Sequence, residues 1–487
     1  MRFTVARVVA VSAVLFGLLC GRGRGDEKPV PPAAGPLKVG IASADITPDG
    51  PVWMRGFAAR KKPSEGVYRK LTATCVVLDN GATRLGFVVF DLCAIQEKQL
   101  DDLRAAAEKA GIPPQHVMTN CSHSHYGPHL GHKKNAEYSA EFKKRTDPLF
   151  EAAVADLQPA VLDYMVGSCT MAVNRRQYDA EGKAMGMRPE PRKPIDPDVP
   201  VLRVLSADGK VRAVLFGYAC HPTTVNALHY KVGTDYPGFA RDWIAAAYPG
   251  CTPVFLQGCG GDIKPRYTLP QKSGYGRFGH VLLDQLEIVA ELGHELGRAV
   301  VTAVIVPPEP VPATRPTKLE DAIQSPVHLA GIVEKVSVPN KKAGRPPHTI
   351  YMGAWRIGDV YIFGSQCEVC CGIGLRIKRE LAGMRVWTNG YTHWGGGYIP
   401  DAELYPEGGY EVKVSSVAPG TDGIVVSNAL RYIKALKNGQ DGLGAIHEPP
   451  APKAKPEKKA AKKPSAKKEP KKPEAKAQST PQKKPGK

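Results

Sequence analysis

The chain has 487 residues, a length that permits up to about three domains or one large enzyme domain with tails. Hydrophobic residues make up 43% of it, which is enough for a sizeable core. The net charge of +19 invites a nucleic-acid partner, but its location argues against one. Residues 449–487 contain 14 lysines, three glutamates and no aromatic residue, so +11 of the charge lies in a segment that cannot stack on bases.

The amino terminus has the pattern of a secretory signal peptide. Two arginines precede an apolar run at 8–19, which is too short to span a bilayer, and small residues follow it. We therefore predict a signal peptide at 1–25 and a linker at 26–36, and with them export to the periplasm or the extracellular space. No later apolar run approaches the roughly 20 residues of a membrane helix, so the mature protein is expected to be soluble or peripherally attached.

Between residues 37 and 446, short β-rich runs alternate with helical patterns. This predicts one domain of the α/β class, or a layered α+β arrangement, with mixed β-sheets flanked by helices. The predicted strands are 75–78, 86–90, 116–121, 211–219, 253–257, 360–364 and 385–388. The predicted helices are 96–110, 140–157, 239–248, 281–301 and 374–381. The Lys/Ala/Pro-rich residues 447–487 are predicted to form a disordered basic tail.

Eleven cysteines are spaced irregularly along the chain. Most lie in apolar, strand-like contexts such as Thr74-Cys75-Val76-Val77, so we predict that the majority are buried free thiols. The Cys367-x-x-Cys370-Cys371 segment is only a weak indication of a metal or redox site, because no second CxxC pair accompanies it.

A His-x-His pair ends one of the predicted strands, in the segment NCSHSHYGP at 120–128. In extended backbone, residues two apart face the same side, so His123 and His125 can reach one site. Neutral imidazole is a common ligand of catalytic transition metals. The spacing alone is equally compatible with two polar histidines in a loop.

Further polar residues follow other predicted strands. His221, Asp262 and Glu368 each come after a strand end, and a loop at 391–398 follows the last strand. Ligands collect outside the carboxyl ends of strands in α/β sheets, so these loops are expected to converge around an active site. Two histidines and one carboxylate are a usual catalytic zinc set with a free position for water. Glu368 lies in an apolar stretch, where a buried carboxylate requires a metal or another cation.

Taken together, these segments resemble the neutral/alkaline (non-lysosomal) ceramidase family, zinc-dependent amidases that cleave N-acyl-sphingosine. SHSHYGP at 122–128 resembles that family's SHTHSGP signature, and ACHPTT at 219–224 resembles its HPxS motif. The other matching segments are VGIASADITP at 39–48, MRGF at 54–57, VNR at 173–175, QCE at 366–368 in the place of a PGE segment, and the tyrosine-rich 397–411. The ordered series covers most of 37–411, so the resemblance identifies 37–446 as a ceramidase-like catalytic domain.

The resemblance implies a Zn²⁺ site and a set of catalytic residues. The ligands it implies are His123, His221, Glu368 and Tyr398. His125 would act as general acid or base, while Arg175 and Tyr410 would stabilise the developing oxyanion. Zinc would lower the pKa of its bound water to about 7 and polarise the scissile carbonyl. The alternatives are that Tyr398 and Tyr410 are ordinary strand residues and that Arg175 pairs with a surface carboxylate.

The sequence departs from the family at Lys264. The family's GDxSP segment places a serine beside the zinc, whereas GGDIKP at 260–265 has a lysine, whose ammonium only donates hydrogen bonds. Near the metal, Lys264 would favour hydroxide or an anionic substrate; the alternative is a solvated lysine. Asp262 is expected to orient this loop.

The predicted function is that of an exported, zinc-dependent hydrolase that cleaves the amide C–N bond of an N-acyl, ceramide-like lipid. One alternative is hydrolysis of a different amide or ester at the same metal site, which Lys264 favours. Another is a non-catalytic, metal-binding envelope protein tethered by its basic tail. The predicted partners are a small-molecule or lipid substrate and, through the tail, an anionic membrane or envelope surface, with no specific nucleic acid. The alternative for the tail is a solvated linker. The sequence predicts no particular oligomeric state.

Overall fold

A computed structural model describes residues 35–266, 285–305 and 318–442. The predicted signal peptide at 1–25, the predicted linker up to residue 34, the start of the predicted helix 281–301 and the predicted tail at 447–487 lie outside the described residues. Within the described part, no helix has the length and apolar character that a membrane crossing requires.

Two β-sheets form the centre of the fold. The larger contains, in spatial order, β10 (Thr252–Gln257), β9 (Val211–Tyr218), β8 (Asp198–Ser206), β6 (Gln158–Ser168), β2 (Lys38–Asp45), β3 (Thr72–Asp79), β4 (Arg84–Phe90) and β5 (Val117–Cys121). The smaller contains β13 (Leu329–Val338), β14 (His348–Ile357), β15 (Val360–Ser365) and β17 (Arg385–Asn389). Both mix parallel and antiparallel pairs, which confirms the predicted mixed sheets.

Three two-stranded pairs and ten described helices complete the fold. The pairs are β1 (Gly35–Pro36) with β12 (Pro326–Val327), β7 (Ala172–Asn174) with β11 (Ile263–Pro265), and β16 (Glu368–Val369) with β18 (Tyr398–Ile399). The helices are α1 (Glu97–Lys109), α2 (Ala136–Thr146), α3 (Leu149–Ala155), α4 (Tyr236–Ala247), α5 (Gln285–Ile305), α6 (Leu319–Gln324), α7 (Cys371–Glu380), α8 (Leu404–Glu407), α9 (Gly409–Val414) and α10 (Thr421–Lys437).

The elements stack in four layers, helix on sheet on sheet on helix. Strand β4 shows why: Val88 and Phe90 pack in the cluster that contains α1 to α5, whereas Leu85, Phe87 and Val89 pack in the cluster shared by the two sheets. A second helical layer, α7 and α10, covers the other face of the smaller sheet. A strand whose two faces are both buried needs apolar residues at successive positions, and β4 has them. The predicted α/β class is therefore confirmed, with a layered arrangement.

Three strand–helix–strand units set the direction of the loops. In β4–α1–β5, β9–α4–β10 and β15–α7–β17, the two strands of each unit pair in parallel. All six strands of these units consequently deliver their carboxyl-terminal loops to one end of their sheet, where ligand sites of α/β proteins are found.

Asn120 joins the ends of three strands. Strands β5 and β10 are the two edges of the larger sheet, yet the Asn120 amide Nδ2 donates to the carbonyl of Gln257 (3.3 Å) and Oδ1 accepts from the Gln257 N–H (2.8 Å). The same Nδ2 donates to the carbonyl of Gly390 after β17 (3.0 Å). The larger sheet is therefore curled until its edges meet, and the smaller sheet is tied to the same point.

The predicted helix at 140–157 is wrong in one respect. The structure has two helices, α2 and α3, separated at Asp147 and Pro148. Proline lacks an N–H and its ring clashes with the carbonyl four residues earlier, so one continuous helix cannot pass through Pro148. Strands β6, β8, β13 and β14 were not predicted from the sequence. The ten described cysteines are all free and buried, which confirms the prediction of buried thiols.

Replacing Asn120 by alanine should lower the free energy of unfolding by about 3 kcal/mol, because buried groups on two other strands lose their hydrogen-bond partner. Urea denaturation measures the change. Asn438→Ala, at an exposed position after α10, is the matched control and should stay within about 0.5 kcal/mol of wild type. Equal stability of the two variants would refute the role given to Asn120.

Candidate metal centre and active site

The loops at the common end of the sheets carry nearly all of the predicted site residues. Cys93 follows β4, His123 follows β5, His221 follows β9, Asp262 follows β10 and Glu368 follows β15. All five described non-glycine residues with positive φ lie in loops that follow strands of this kind: His123 (64°) after β5, Asp235 (56°) after β9, Cys367 (81°) after β15, and Tyr391 (56°) and His393 (63°) after β17. A positive φ at a non-glycine residue costs free energy and persists only where the surrounding structure enforces it. Residues of this kind cluster at functional sites.

Backbone carbonyls fix both predicted histidine ligands. His123 Nδ1 lies 2.9 Å from the carbonyl of Cys93, and His221 Nδ1 lies 2.7 Å from that of Gly260 and 3.1 Å from that of Ile263. A carbonyl only accepts, so each Nδ1 carries the proton and donates. With no proton on Nε2, each ring presents the lone pair of that atom, which is how metal-ligating histidines are held.

Glu368 completes this group. Its Oε2 lies 3.0 Å from His221 Nε2 and 3.2 Å from His123 Nε2. Burial raises the pKa of Glu368, but the two imidazoles outweigh burial and hold its pKa well below the usual range, so the carboxylate is ionised. Burial and Arg175 lower the pKa of His221 to about 4, so this ring is neutral.

The three atoms that converge here are all acceptors, and they fit a divalent cation. One carboxylate oxygen and two imidazole nitrogens, mutually within 4.8 Å, are the donor set that zinc takes in catalytic sites. A proton on His123 competes with a cation for this site. Burial lowers the pKa of His123, but Cys93 and Glu368 outweigh burial and raise it to about 10. One proton on His123 would still leave the His221 lone pair facing the carboxylate, whereas a cation satisfies all three atoms.

The predicted fourth ligand, Tyr398, lies at the edge of this group. Residues 368 and 398 are direct partners in the parallel β16–β18 pair, so the sheet register itself sets the phenol beside the carboxylate. The Tyr398 hydroxyl lies 3.4 Å from His221 Nε2 and accepts from Arg175 Nη2 at 3.1 Å. Tyr398 is on strand β18, and the residue is 7% exposed.

His125 lies in direct contact with one of the candidate ligands. Its Nε2 is 3.1 Å from His123 Nε2, and it also forms a possible metal-binding group with Cys93 and His123. Gly56 (φ 112°) makes this position possible, since a Cβ there would approach the His125 ring to 2.3 Å. Burial, together with the neighbouring imidazoles of His123 and His221, lowers the pKa of His125 well below its usual value, so the ring is neutral.

Arg175 pairs with a buried carboxylate, not with a surface one. Its Nε donates to Glu411 (2.8 Å) and its Nη2 to the carbonyl of Gly261 (2.7 Å), while Glu411 also accepts from Arg176 (2.5 Å). These bonds fix the Arg175 guanidinium. On the side of the candidate ligands, it contacts Tyr398. Glu411 carried no assigned role in the sequence, although it lies inside the tyrosine-rich segment.

Asp262 orients its loop, as expected. Its two carboxylate oxygens accept from the Asn174 amide (2.9 Å) and from the N–H of Cys371 at the start of α7 (2.8 Å). Both oxygens are occupied by these structural bonds. Its position therefore favours a supporting role over direct chemistry.

Tyr410 and Lys264 lie outside the group of converging acceptors. The strand alternative for Tyr410 is wrong, because the residue is on helix α9; the glycines at 408 and 409, both with positive φ, turn the chain there. Its half-exposed ring packs edge-on against Tyr398 with centroids 5.7 Å apart. Lys264, on β11, lies near Arg175 and Cys220. The Lys264 side chain forms no hydrogen bond or ion pair with a described residue.

Three residues around the candidate ligands were not assigned a role from the sequence. Cys93 holds His123 through its carbonyl, the Tyr391 ring lies tilted against the His123 ring with centroids 4.4 Å apart, and Arg55 lines a cavity beside His123 and Glu368. Cys93 follows β4, so the strand-end rule would have found it, and Tyr391 begins the predicted 391–398 loop. Arg55 lies in an irregular segment, where only the family-like MRGF at 54–57 marks it.

Comparison with known proteins finds neutral ceramidases. No family model matches the chain. The neutral ceramidase of Pseudomonas aeruginosa is 24% identical over 477 residues, which cover 79% of this chain and 70% of that protein. A crystal structure of neutral ceramidase from P. aeruginosa superposes with a TM-score of 0.66 at 19% identity over 86% of this chain and 77% of that one. A ceramidase complexed with C2 gives 0.65 at 20% identity over 85% and 77%. The predicted resemblance to the neutral ceramidase family is confirmed, and so is its fold.

If the three acceptor atoms hold a metal, the purified protein should contain about one metal ion per chain, and His123→Ala and Glu368→Gln should lose it. Elemental analysis by mass spectrometry identifies and counts the ion. His328→Ala, outside the site, is the control and should keep it. Chelation should lower the free energy of unfolding by about 3 kcal/mol where free metal had been at about 100 times its dissociation constant. Metal-free wild-type protein, purified without chelator, would refute the site.

Lys264 should make stability depend on alkaline pH. Burial and Arg175 lower the pKa of Lys264 to about 8, against 10.5 for an ordinary lysine. Between these values the unfolded chain binds more protons than the folded one, so stability rises with pH. Wild type should therefore gain stability relative to Lys264→Met from about pH 8 to about pH 10, in urea titrations with the exposed Lys437→Met as control. A constant difference would show that the lysine is solvated.

Proposed function

We propose that this chain, similar to neutral ceramidases in sequence and fold, is an exported zinc-dependent amidohydrolase that cleaves the C–N bond of a ceramide-like N-acyl lipid. The observation that carries the proposal is the convergence of His123 Nε2, His221 Nε2 and Glu368 Oε2, three acceptors with the chemistry of a catalytic zinc site. Export rests on the amino-terminal sequence pattern alone, and amino-terminal sequencing of the mature protein tests it.

His123, His221 and Glu368, with Tyr398 beside them, would hold the ion. Bound there, zinc supplies Lewis-acid polarisation of a carbonyl and activation of water. His125 is neutral and buried next to this group, so its lone pair suits it to take a proton from the attacking water and pass it to the departing amine.

The residues on the opposite side suit the developing negative charge. Arg175 is fixed by Glu411 and donates to the Tyr398 hydroxyl, which aligns that phenol. Tyr410 packs on Tyr398, and its half-exposed hydroxyl can meet a substrate carbonyl at the open side. Donors set in place before the reaction stabilise an oxyanion without a reorganisation cost.

The basic segment at 449–487 suits contact with an anionic membrane or envelope surface, which would bring the enzyme to a lipid substrate. Deletion of this segment is expected to leave turnover unchanged and to weaken binding to anionic vesicles. Loss of turnover in the truncated chain would refute this division of roles.

Turnover of a panel of N-acyl amides and esters tests the proposed activity. Wild type should release the fatty acid, His123→Ala should fall to background, and Tyr410→Phe should lose about 100-fold in kcat with little change in KM. His328→Ala is the control for removal of an imidazole. If metal-loaded wild type turns over no member of the panel, the proposed hydrolase activity is refuted. That result would favour a metal-binding envelope protein.

A further inference from the structure

A small cavity opens directly beside the candidate metal ligands. It has a volume of about 40 Å³, and the residues that carry the argument are Arg55, Cys93, His123, Glu368, Tyr391 and Trp394. A water-sized probe needs about 10–15 Å³, so the space admits about three heavy atoms. That is the size of a carboxylate, and too little for an alkyl chain.

Three residues that line the cavity each have a buried hydrogen-bond donor without a partner among the described residues. The Nη1 of Arg55, the Nε1 of Trp394 and the hydroxyl of Tyr391 are buried atoms without a hydrogen bond among the described residues. A buried donor left unpaired costs about 1–3 kcal/mol, and more when it is charged. Three such groups around one space indicate that an acceptor belongs there.

Arg55 is held in place by its surroundings. Its backbone N–H donates to the carbonyl of Gly127 (3.1 Å), and its guanidinium lies against Gly395, where a Cβ would approach Nη2 to 2.8 Å. Arg55 therefore brings a guanidinium to this side of His123 and Glu368, and it forms no ion pair with any described residue. Guanidinium and carboxylate match in charge and in planar geometry.

We propose that this cavity binds the carboxylate of an N-acyl amino acid, whose amide bond the adjacent site hydrolyses; this rests on the proposed amide hydrolysis and replaces the ceramide-like lipid with an N-acyl amino acid as the substrate. The cavity shares His123 and Glu368 with the candidate metal site, so the bound group must lie within a few bonds of the scissile amide. An α-carboxylate, attached to the carbon next to the amide nitrogen, meets that condition. In the reaction, water adds its oxygen to the acyl carbon, the C–N bond breaks and the amino acid leaves with the proton.

Three substrates with the same acyl chain test the proposal: N-dodecanoylglycine, N-dodecanoylethanolamine and N-dodecanoylpropylamine. They end in a carboxylate, a hydroxyl and a methyl group. Wild type should have the highest kcat/KM for the glycine conjugate. The preference for glycine over ethanolamine should fall about 10- to 100-fold in Arg55→Gln and less in Trp394→Phe, chiefly through KM. Arg385→Gln removes an arginine from an exposed ion pair with Asp359 and should keep the wild-type preference.

Binding is measured separately, by calorimetry with N-dodecanoylglycine on metal-loaded His125→Ala protein, with and without Arg55→Gln. Arg55-dependent binding with no turnover of any substrate would sink the proposed hydrolase and keep the carboxylate site. A wild-type preference for the hydroxyl or methyl substrate, or an unchanged preference in both cavity variants, would overturn the carboxylate site even if turnover is high. Should Arg55→Gln fail to fold, Trp394→Phe, which removes only one N–H donor, decides.

Discussion

The amide of Asn120 is the contact on which the arrangement of the site depends. The two edges of an eight-stranded sheet normally lie far apart, but here one side chain bonds both backbone groups of Gln257 on the opposite edge and the carbonyl of Gly390 on the other sheet. An asparagine can do this because its amide offers two donors and an acceptor in one plane. The loops that carry His123, Asp262 and Tyr391 all start within a few residues of this junction.

The site is built at a local energetic cost that the surrounding packing offsets. Positive φ at His123, Cys367 and Tyr391 and a buried arginine pair around Glu411 are unfavourable in isolation. Each of these features occurs where the packed layers of the fold leave the backbone or side chain no other conformation. The same rigidity gives each imidazole one tautomer and one direction, since carbonyls of neighbouring loops accept from both Nδ1 atoms. Preorganisation of this kind is what metal-assisted hydrolysis requires from a protein.

The sequence predicted the parts of this structure that depend on local pattern. Polar residues after apolar strands located His123, His221 and Glu368, because strand direction and loop position follow from the alternation of strands and helices. The break at Pro148 was also readable, since proline excludes a continuous helix, but apolar periodicity on both sides concealed it. The helical position of Tyr410 depends on two glycines with positive φ. The cavity around Arg55 depends on five chain segments that meet only in the folded state, and no local pattern encodes it.

The long sequence separation between the candidate ligands also affects how a bound ion would stabilise the fold. Glu368 lies 147 residues beyond His221, and Tyr398 lies 177 residues beyond it. An ion held between them acts as a cross-link, closing loops whose entropy in the unfolded chain grows with the logarithm of their length. Disulfides can serve the same purpose, but all ten described cysteines here are unpaired. Because His221 follows a strand of the larger sheet and Glu368 follows a strand of the smaller one, a bound ion would link the two sheets directly.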